Sequence, residues 1–469
     1  MTEVHGGLGV VSRESRAHRR FDDDESTVEP TIRNTTAGKC LDGYIPDDGT
    51  TGVVVTGAGG YIGGAIVAYL LEHTSVPRVH ATVRGDVNSP RYALLRALDQ
   101  NAEDATTTPA TNASATNLSA TSKPRLYLFS AEMTVPGAFD AACAGCSAFV
   151  HVAAPTTVRC RAKDAYAKMV DPAIKGVENV ISSVERMGLK TVVYTSSMAA
   201  IQGDAWERGR EHVSTERDWN ELDETPKVNP YACMKVLSER RLWELYETRG
   251  SRASSSTLSA PQPSWEQLVV LCPGFVLGAP STDVRSELVE FMILLMKGKV
   301  WPLVPNYCFS MVHLKDVARA HVLAAIGGAL DGEIVANTAT ENETSIRRRY
   351  IVASGDRTVG LKGMLCGPVK AGLVGRLEER LGKRDGGYGR YVSWYRWPIG
   401  PAPKWLLWIL SWFMMGVEWP LVRAYLNKPS RFDGEALVRE LAGFEGFRDP
   451  VDGFLELLVW VVERGLDAS

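Results

Sequence analysis

From residue 52 onward, short runs of β-branched and other apolar residues alternate with stretches whose apolar positions recur at helical spacing. The runs fall at 53–56, 79–84, 125–130, 148–152, 191–196 and 267–272. Most are apolar nearly throughout instead of at every second position, the pattern of strands covered on both faces. Strand and helix in regular alternation predict a parallel, doubly wound α/β sheet over residues 51–275. The rhythm fades after that. Residues 276–469 carry longer helical patterns and aromatic clusters, which predict a smaller, mainly helical C-terminal substrate lobe, with segments near 308–355 returning to the sheet domain.

Two tracts interrupt the alternation, 99–124 and 251–264, both rich in Ser, Thr, Ala or Pro, and both are expected to be flexible surface insertions. Residues 1–50 contain the acidic run Asp22 to Glu25 and no apolar stretch of the secretory kind, so they read as a disordered leader. Without such a signal the sequons at Asn112 and Asn117 have no route to glycosylation, and a cytoplasmic location is expected. No internal repeat is visible. The eight cysteines lack the spacing of a disulfide framework. Cys143 and Cys146 form a Cys-Ala-Gly-Cys string, but it precedes an apolar run instead of opening a helix after a strand, so a structural role is expected.

Lys plus Arg number 52 against 55 for Asp plus Glu, which removes the electrostatic case for nucleic acid and points to a small-molecule ligand. Tryptophans at 394, 397, 405, 408, 412 and 419 crowd one segment, and 405–417 contains no charge. That run is shorter than the roughly 20 residues a membrane span needs. It is expected to form a wall of the substrate pocket, with contact at a membrane surface as the alternative.

The first apolar run passes into Thr56-Gly57-Ala58-Gly59-Gly60-Tyr61-Ile62-Gly63 and then a helix-compatible stretch. Glycines at 57, 60 and 63 allow a sharp turn, a close backbone approach to a diphosphate, and tight packing of the following helix on the strand. Free N–H groups of Tyr61, Ile62 and Gly63 at the helix start then face the anion. This is the dinucleotide turn of a Rossmann sheet. The second strand ends in Arg84, where the adenosine ribose is expected; an acid there would favour NAD, whereas a planar cation suits a 2′-phosphate, so NADP is expected, with NAD as the alternative.

Asn229-Pro230 opens a helix, with Asn as N-cap and Pro at the first position. Tyr231 and Lys235 sit on its first turns, four residues apart and so on one face. The ammonium can then lower the phenol's pKa and hold the nicotinamide ribose, which makes Tyr231 usable as an acid or base. The strand 191–196 delivers Ser197 to the carboxyl edge of the sheet, where it can hydrogen-bond a substrate oxygen. Ser197, Tyr231 and Lys235 are therefore the expected catalytic residues.

These strings, with His-Val-Ala-Ala-Pro at 151–155, Tyr-Thr-Ser-Ser at 194–197 and Asn-Pro-Tyr-Ala-Cys-Met-Lys at 229–235, make the chain resemble the extended short-chain dehydrogenases. The similarity is to the branch of dihydroflavonol and cinnamoyl-CoA reductases, fungal aldehyde reductases and 3β-hydroxysteroid dehydrogenases, within the epimerase/dehydratase superfamily. It covers about residues 52–355. The resemblance implies that Ala153 and Ala154 line the cofactor cleft, that Pro273 to Val276 approach the nicotinamide, and that Met133 borders the adenine. Glu132 stands where the family usually has Asp, and no second basic residue follows Arg84 closely. A string at 311–318 also resembles the family; its His313 and Asp316, with His321 beyond, are expected to be structural and not metal ligands, because hydride transfer needs no metal.

The chain therefore reads as an NADP-dependent oxidoreductase that interconverts an aldehyde or ketone with an alcohol. The alternatives are a nucleotide-sugar epimerase or dehydratase, and a non-catalytic dinucleotide sensor. Substrate identity, reaction direction and oligomeric state are not written in these motifs, because specificity lies in pocket shape.

Overall fold

The computed structural model describes residues 51–99, 123–155, 160, 162–204, 206–221, 229–249, 265–284, 286–299, 302–327, 346–354, 358–366, 376, 379, 398–413, 422 and 424–466. The expected leader, nearly all of both insertions and the two sequons lie outside them. Among the described residues the central sheet has seven strands: β1 (Val53–Thr56), β2 (Val79–Val83), β3 (Leu126–Ser130), β4 (Ala148–His151), β5 (Thr191–Thr195), β6 (Gln267–Pro273) and β7 (Ile346–Val352). Their order is β3-β2-β1-β4-β5-β6-β7, and every pairing is parallel. The order turns back at β1, so the crevice between the ends of β1 and β4 is the place where an open sheet of this kind takes a ligand.

Alternation within each apolar run divides its side chains between two cores. Val53 and Val55 of β1, Val150 of β4 and Val269 and Leu271 of β6 face one layer, with α1 (Tyr61–His73) and α4 (Leu314–Ile326) packed over them. Val54, Phe149, Val192, Leu268 and Val270 face the other, under α2 (Asp171–Met187) and α3 (Pro230–Glu247). Continuous apolar sequence is thus the consequence of burial on both faces. At the β3 edge the cover is incomplete, and Tyr127 is exposed.

The chain after β6 builds a second layer of structure beyond the sheet's carboxyl edge. Phe275–Leu277 pairs in parallel with Cys308–His313, which pairs antiparallel with Thr358–Gly360. Helices Glu287–Met296 and α5 (Pro450–Glu463) cover this small sheet, burying Val289, Met292, Leu295, Phe454, Leu457 and Val461 together. Asp449 caps α5 with Pro450 at its first position.

Candidate functional site

At the end of β1 the Thr56 hydroxyl accepts the N–H groups of Val152 and Ala153 at 3.0 Å each and lies 2.9 Å from His151 Nδ1. Since its oxygen already accepts twice, its proton goes to His151, whose Nδ1 is the acceptor. Burial holds that ring down to about 3, with the Lys235 ammonium adding to the effect, so it is neutral. Thr56 thereby ties β1 to β4 and sets Ala153 against the turn. Gly57 has φ +66°, and a Cβ there would stand 3.1 Å from the Ala153 Cα. A Cβ on Gly63 would stand 2.2 Å from the Gly57 carbonyl oxygen, so the helix approaches the strand as closely as backbone allows. Gly60 caps α1 without any side-chain hydrogen bond, which leaves the first-turn N–H groups of Tyr61, Ile62 and Gly63 for an outside acceptor. Tyr61 itself donates to the Gly278 carbonyl at 2.6 Å, and Ile62 packs against the core. A bare backbone cradle with uncapped N–H groups fits a dinucleotide's diphosphate.

Arg84 follows β2 with its side chain 70% exposed and its Nε 3.6 Å from Glu132. Tyr92 donates to the Arg84 carbonyl at 2.8 Å, and its ring fills the space that a Cβ on Gly59 would need. The Arg91 guanidinium lies 4.8 Å from that ring's centroid. A short turn at Pro90–Tyr92 thus brings a second cation near the end of β2, seven residues beyond Arg84, where sequence spacing gave no sign of it. Met133 is buried against Gly176 of α2, and its carbonyl accepts from Asn179 at 2.8 Å.

Asn229 caps α3 by accepting the N–H groups of Tyr231 and Ala232 at 3.1 and 3.2 Å. Burial pushes the Tyr231 phenol up, and its hydrogen bond with Ser197 pulls it back. Lys235 Nζ donates to the Thr195 carbonyl at 2.9 Å, and burial pulls the ammonium down to about 8 against the opposing effects of Cys272 and Glu239. In this arrangement the group that eases the phenol's ionisation is Ser197, while the ammonium is anchored to the end of β5. Behind it, the His321 Nδ1 donates to Val317 and its Nε2 accepts the Thr195 hydroxyl, at 2.7 and 2.8 Å.

Ser197 and Tyr231 stand at one wall of a cavity of about 260 Å³. Pro273 and Gly274 continue that wall from the end of β6. A Cβ on Gly274 would meet the Ser310 carbonyl at 2.4 Å, which is how closely the sheet and the small sheet meet there. Phe275, Phe309, Tyr425 and Phe432 give the cavity its aromatic lining, with Phe275 and Phe309 stacked at 5.2 Å. Ser310 Oγ, in the same wall, is buried and has no hydrogen-bond partner among the described residues. Val276 is partly buried beside the first core, and Ala154 packs on the cluster that holds Tyr231.

The remaining chemistry-bearing residues have other partners. His313 caps α4 through Nδ1 and approaches Glu456 through Nε2 at 3.4 Å; Asp316 is paired with Arg448. Cys143 and Cys146 are buried thiols, each pushed up to about 12 by burial. The Trp-rich segment departs from the expectation. Helix Lys404–Phe413 turns Leu407 into the lobe's core and leaves Trp405 and Trp408 at 64% and 47% exposure, so among the described residues it supplies no cavity wall. That wall comes instead from Tyr425, Ser430 and Phe432, downstream of it. No helix among the described residues is long and apolar enough to cross a membrane.

Residues 53–261 match the NAD dependent epimerase/dehydratase family. A cinnamoyl-CoA reductase of Medicago truncatula is 31% identical over 283 residues, 60% of this chain and 74% of that enzyme. The chain belongs to the NAD-dependent epimerase/dehydratase family. Within the family it falls in the extended short-chain branch of NAD(P)-dependent oxidoreductases. A dihydroflavonol 4-reductase of Gerbera hybrida is 32% identical over 287 residues, 59% of this chain and 65% of that enzyme. Among solved structures, a yeast methylglyoxal/isovaleraldehyde reductase complexed with NADPH aligns with TM-score 0.56 at 20% identity over 88% of this chain and 99% of that one. Vestitone reductase from alfalfa aligns with TM-score 0.53 at 21% identity over 88% and 99%. These last two likenesses are of fold.

Proposed function

We propose that this member of the family is an NADP-dependent reductase of an aldehyde or ketone, catalysing the reverse alcohol oxidation when the ratio of cofactors favours it. The observation that carries the reading is that Ser197 and the half-buried Tyr231 stand together at the wall of an aromatic cavity, on the same sheet edge as an uncapped glycine turn. The diphosphate would be held at Gly57, Gly60 and the N–H groups of Tyr61, Ile62 and Gly63. Arg84, with Arg91 beyond it, would take a 2′-phosphate, with Glu132 and Met133 at the adenosine end. Ala153, Ala154, Pro273, Val276, Tyr231 and Lys235 would line the nicotinamide end. When bound, the nicotinamide supplies or accepts the hydride.

In the reducing direction the substrate oxygen sits between Ser197 and Tyr231. As negative charge develops on it, the Ser197 hydroxyl donates a hydrogen bond and the Tyr231 phenol transfers its proton, so that the product leaves as a neutral alcohol. The Lys235 ammonium, fixed by the Thr195 carbonyl one helical turn beyond Tyr231, would hold the ribose at the nicotinamide end in place.

The cavity lining supports a flat, largely apolar carbonyl compound with a polar substituent that the Ser310 hydroxyl can meet; it opposes a nucleotide-linked sugar. Among its relatives are reductases named for cinnamoyl-CoA and dihydroflavonol. NADPH oxidation across a panel of aromatic and aliphatic aldehydes and ketones tests the reading. Turnover that is faster with aromatic carbonyls, and faster with NADPH than NADH, is expected. Tight NADPH binding with no turnover on any member would favour a sensor instead.

A further inference from the structure

One helical turn beyond Lys235 on α3, the Glu239 carboxylate is fully buried and gathers four donors from three parts of the chain. Arg349 of β7 donates Nε to Oε1 at 2.6 Å and Nη2 to Oε2 at 3.2 Å. Ser196 donates its hydroxyl to Oε2 at 2.5 Å, and Trp243 its indole N–H to Oε1 at 3.2 Å. Arg349 spends its remaining donors on the carbonyls of Glu216 and Asp218, at 2.9 and 2.7 Å, and on that of Ala200 at 3.4 Å, while its guanidinium lies 4.1 Å from the Trp219 ring centroid.

A buried ion pair is weak support for stability, because desolvating both charges offsets most of their attraction. Its contribution is better sought in geometry, and here the geometry points at the reaction site. Thr195, Ser196 and Ser197 are consecutive, and each is fixed by a different partner: Thr195 by Lys235 and His321, Ser196 by Glu239, and Ser197 by the Ala199 N–H it accepts. In extended backbone, neighbouring side chains point opposite ways, so holding Ser196 on one side holds Ser197 on the other. The same pair reaches the cavity by a second route, since the carbonyls that Arg349 holds belong to the segment that carries Met198, Ala199 and Gln202 into the cavity wall.

We propose that Glu239, held by Arg349, is the positioning residue of the Ser197, Tyr231 and Lys235 site: it pins the end of β5 through Ser196 and sets a buried carboxylate one helical turn from the lysine. The role rests on the reductase reading for its effect on turnover, although the anchoring itself does not. Its electrostatic part is specific. The charged and titratable groups facing Lys235 are Glu239 and Tyr231 on its own helix, Cys272 on β6 with Arg349 beyond it, His151 on β4, His321 on α4 and the Tyr194 ring on β5. Both histidines are neutral, and the two groups that favour the ammonium are Cys272, first, and Glu239.

Glu239→Gln keeps the shape and the acceptor for Ser196 but removes the charge, whereas Ser196→Ala removes the anchor and keeps the charge. Expected for Glu239→Gln is a kcat lowered about tenfold, NADPH affinity within about twofold of wild type, and an alkaline limb of the kcat profile moved down by about one pH unit. Ser196→Ala is expected to lower kcat by a similar factor and leave the limb where it was. The lysine can also be followed without turnover, by NMR titration of its side-chain carbon, assigned by its loss in Lys235→Met. If the wild type reduces nothing, the reductase reading fails, and this titration still decides the pairing. An unmoved lysine titration in folded Glu239→Gln, or wild-type kcat in both variants, would overturn the proposal.

Discussion

The Lys235 ammonium is enclosed by protein, and burial pulls it from the usual 10.5 down to about 8. The unfolded chain therefore binds more protons than the fold between these two values. Stability from this group is full above 10.5, falls as pH drops through the window, and is lacking by about 3 kcal/mol at pH 7. Lys235→Met gives up one charged hydrogen bond to the Thr195 carbonyl, worth about 1.5–3 kcal/mol, so the two effects nearly offset at pH 7. It is expected to lose turnover, and its unfolding temperature relative to wild type is expected to fall as pH rises from 7 toward 10. A difference in unfolding temperature that does not change with pH would contradict the placement of this charge. At the other end of the cleft, Arg84 is exposed and free to turn toward a phosphate, with Glu132 as its resting partner. Arg84→Ala is expected to weaken NADPH binding about tenfold and leave NADH binding nearly unchanged, as read by fluorescence titration. Equal loss for both would assign Arg84 to the sheet edge alone.

Among the elements, the strand–turn–helix from β1 to α1 has the least tolerance. The Gly63 Cβ position lies 2.2 Å from a backbone oxygen, so the obstacle is not a flexible side chain. Gly63→Ala must therefore move α1 away from β1, at a cost of about 1–3 kcal/mol, and it is expected to lower the unfolding temperature and weaken NADPH binding several-fold. Wild-type values of both would show that the turn has slack. The same turn was plain in the sequence because three glycines, a strand and a helix follow one another without a gap. Arg91 and Tyr92 were not, because a three-residue turn leaves no periodic signal and its contacts are made across the chain. Glu239 and Arg349 were hidden for a related reason. A charge on a helix or in the run Arg347 to Arg349 reads as solvated until a partner 110 residues away is known to meet it. The Trp-rich helix is hard to read for another reason: an uncharged aromatic run suits a pocket wall and a surface alike, and among its described residues Trp405 and Trp408 are exposed while Leu407 is buried.

For the whole molecule, six strands of the parallel sheet were legible because each announces its burial through its own residues, whereas β7 with its three arginines, the order of the strands, the small sheet and α5 depend on contacts between distant segments. Acid sensitivity is a property of the assembled core. His151 and His321 titrate near 6.5 in an open chain and at about 3 and about 4 in the fold, where burial acts first and the Lys235 charge adds to it. The unfolded chain binds more protons in that window, so their contribution is intact above pH 6.5 and lost as pH falls through it, up to about 3 kcal/mol each by pH 4. Unfolding temperature is expected to fall steeply below pH 6, and His321→Gln, which keeps an acceptor for Thr195, is expected to flatten the slope. An unchanged slope would remove His321 from the account.

The central claim is that the Tyr231 phenol transfers the proton in a dinucleotide-dependent carbonyl reduction. Tyr231→Phe removes one oxygen from the cavity wall and nothing from the glycine turn. Measured side by side, NADPH binding within about twofold of wild type and carbonyl-dependent NADPH oxidation lowered by about a hundredfold or more are the results predicted. Oxidation at the wild-type rate in a variant that still binds NADPH would contradict the account.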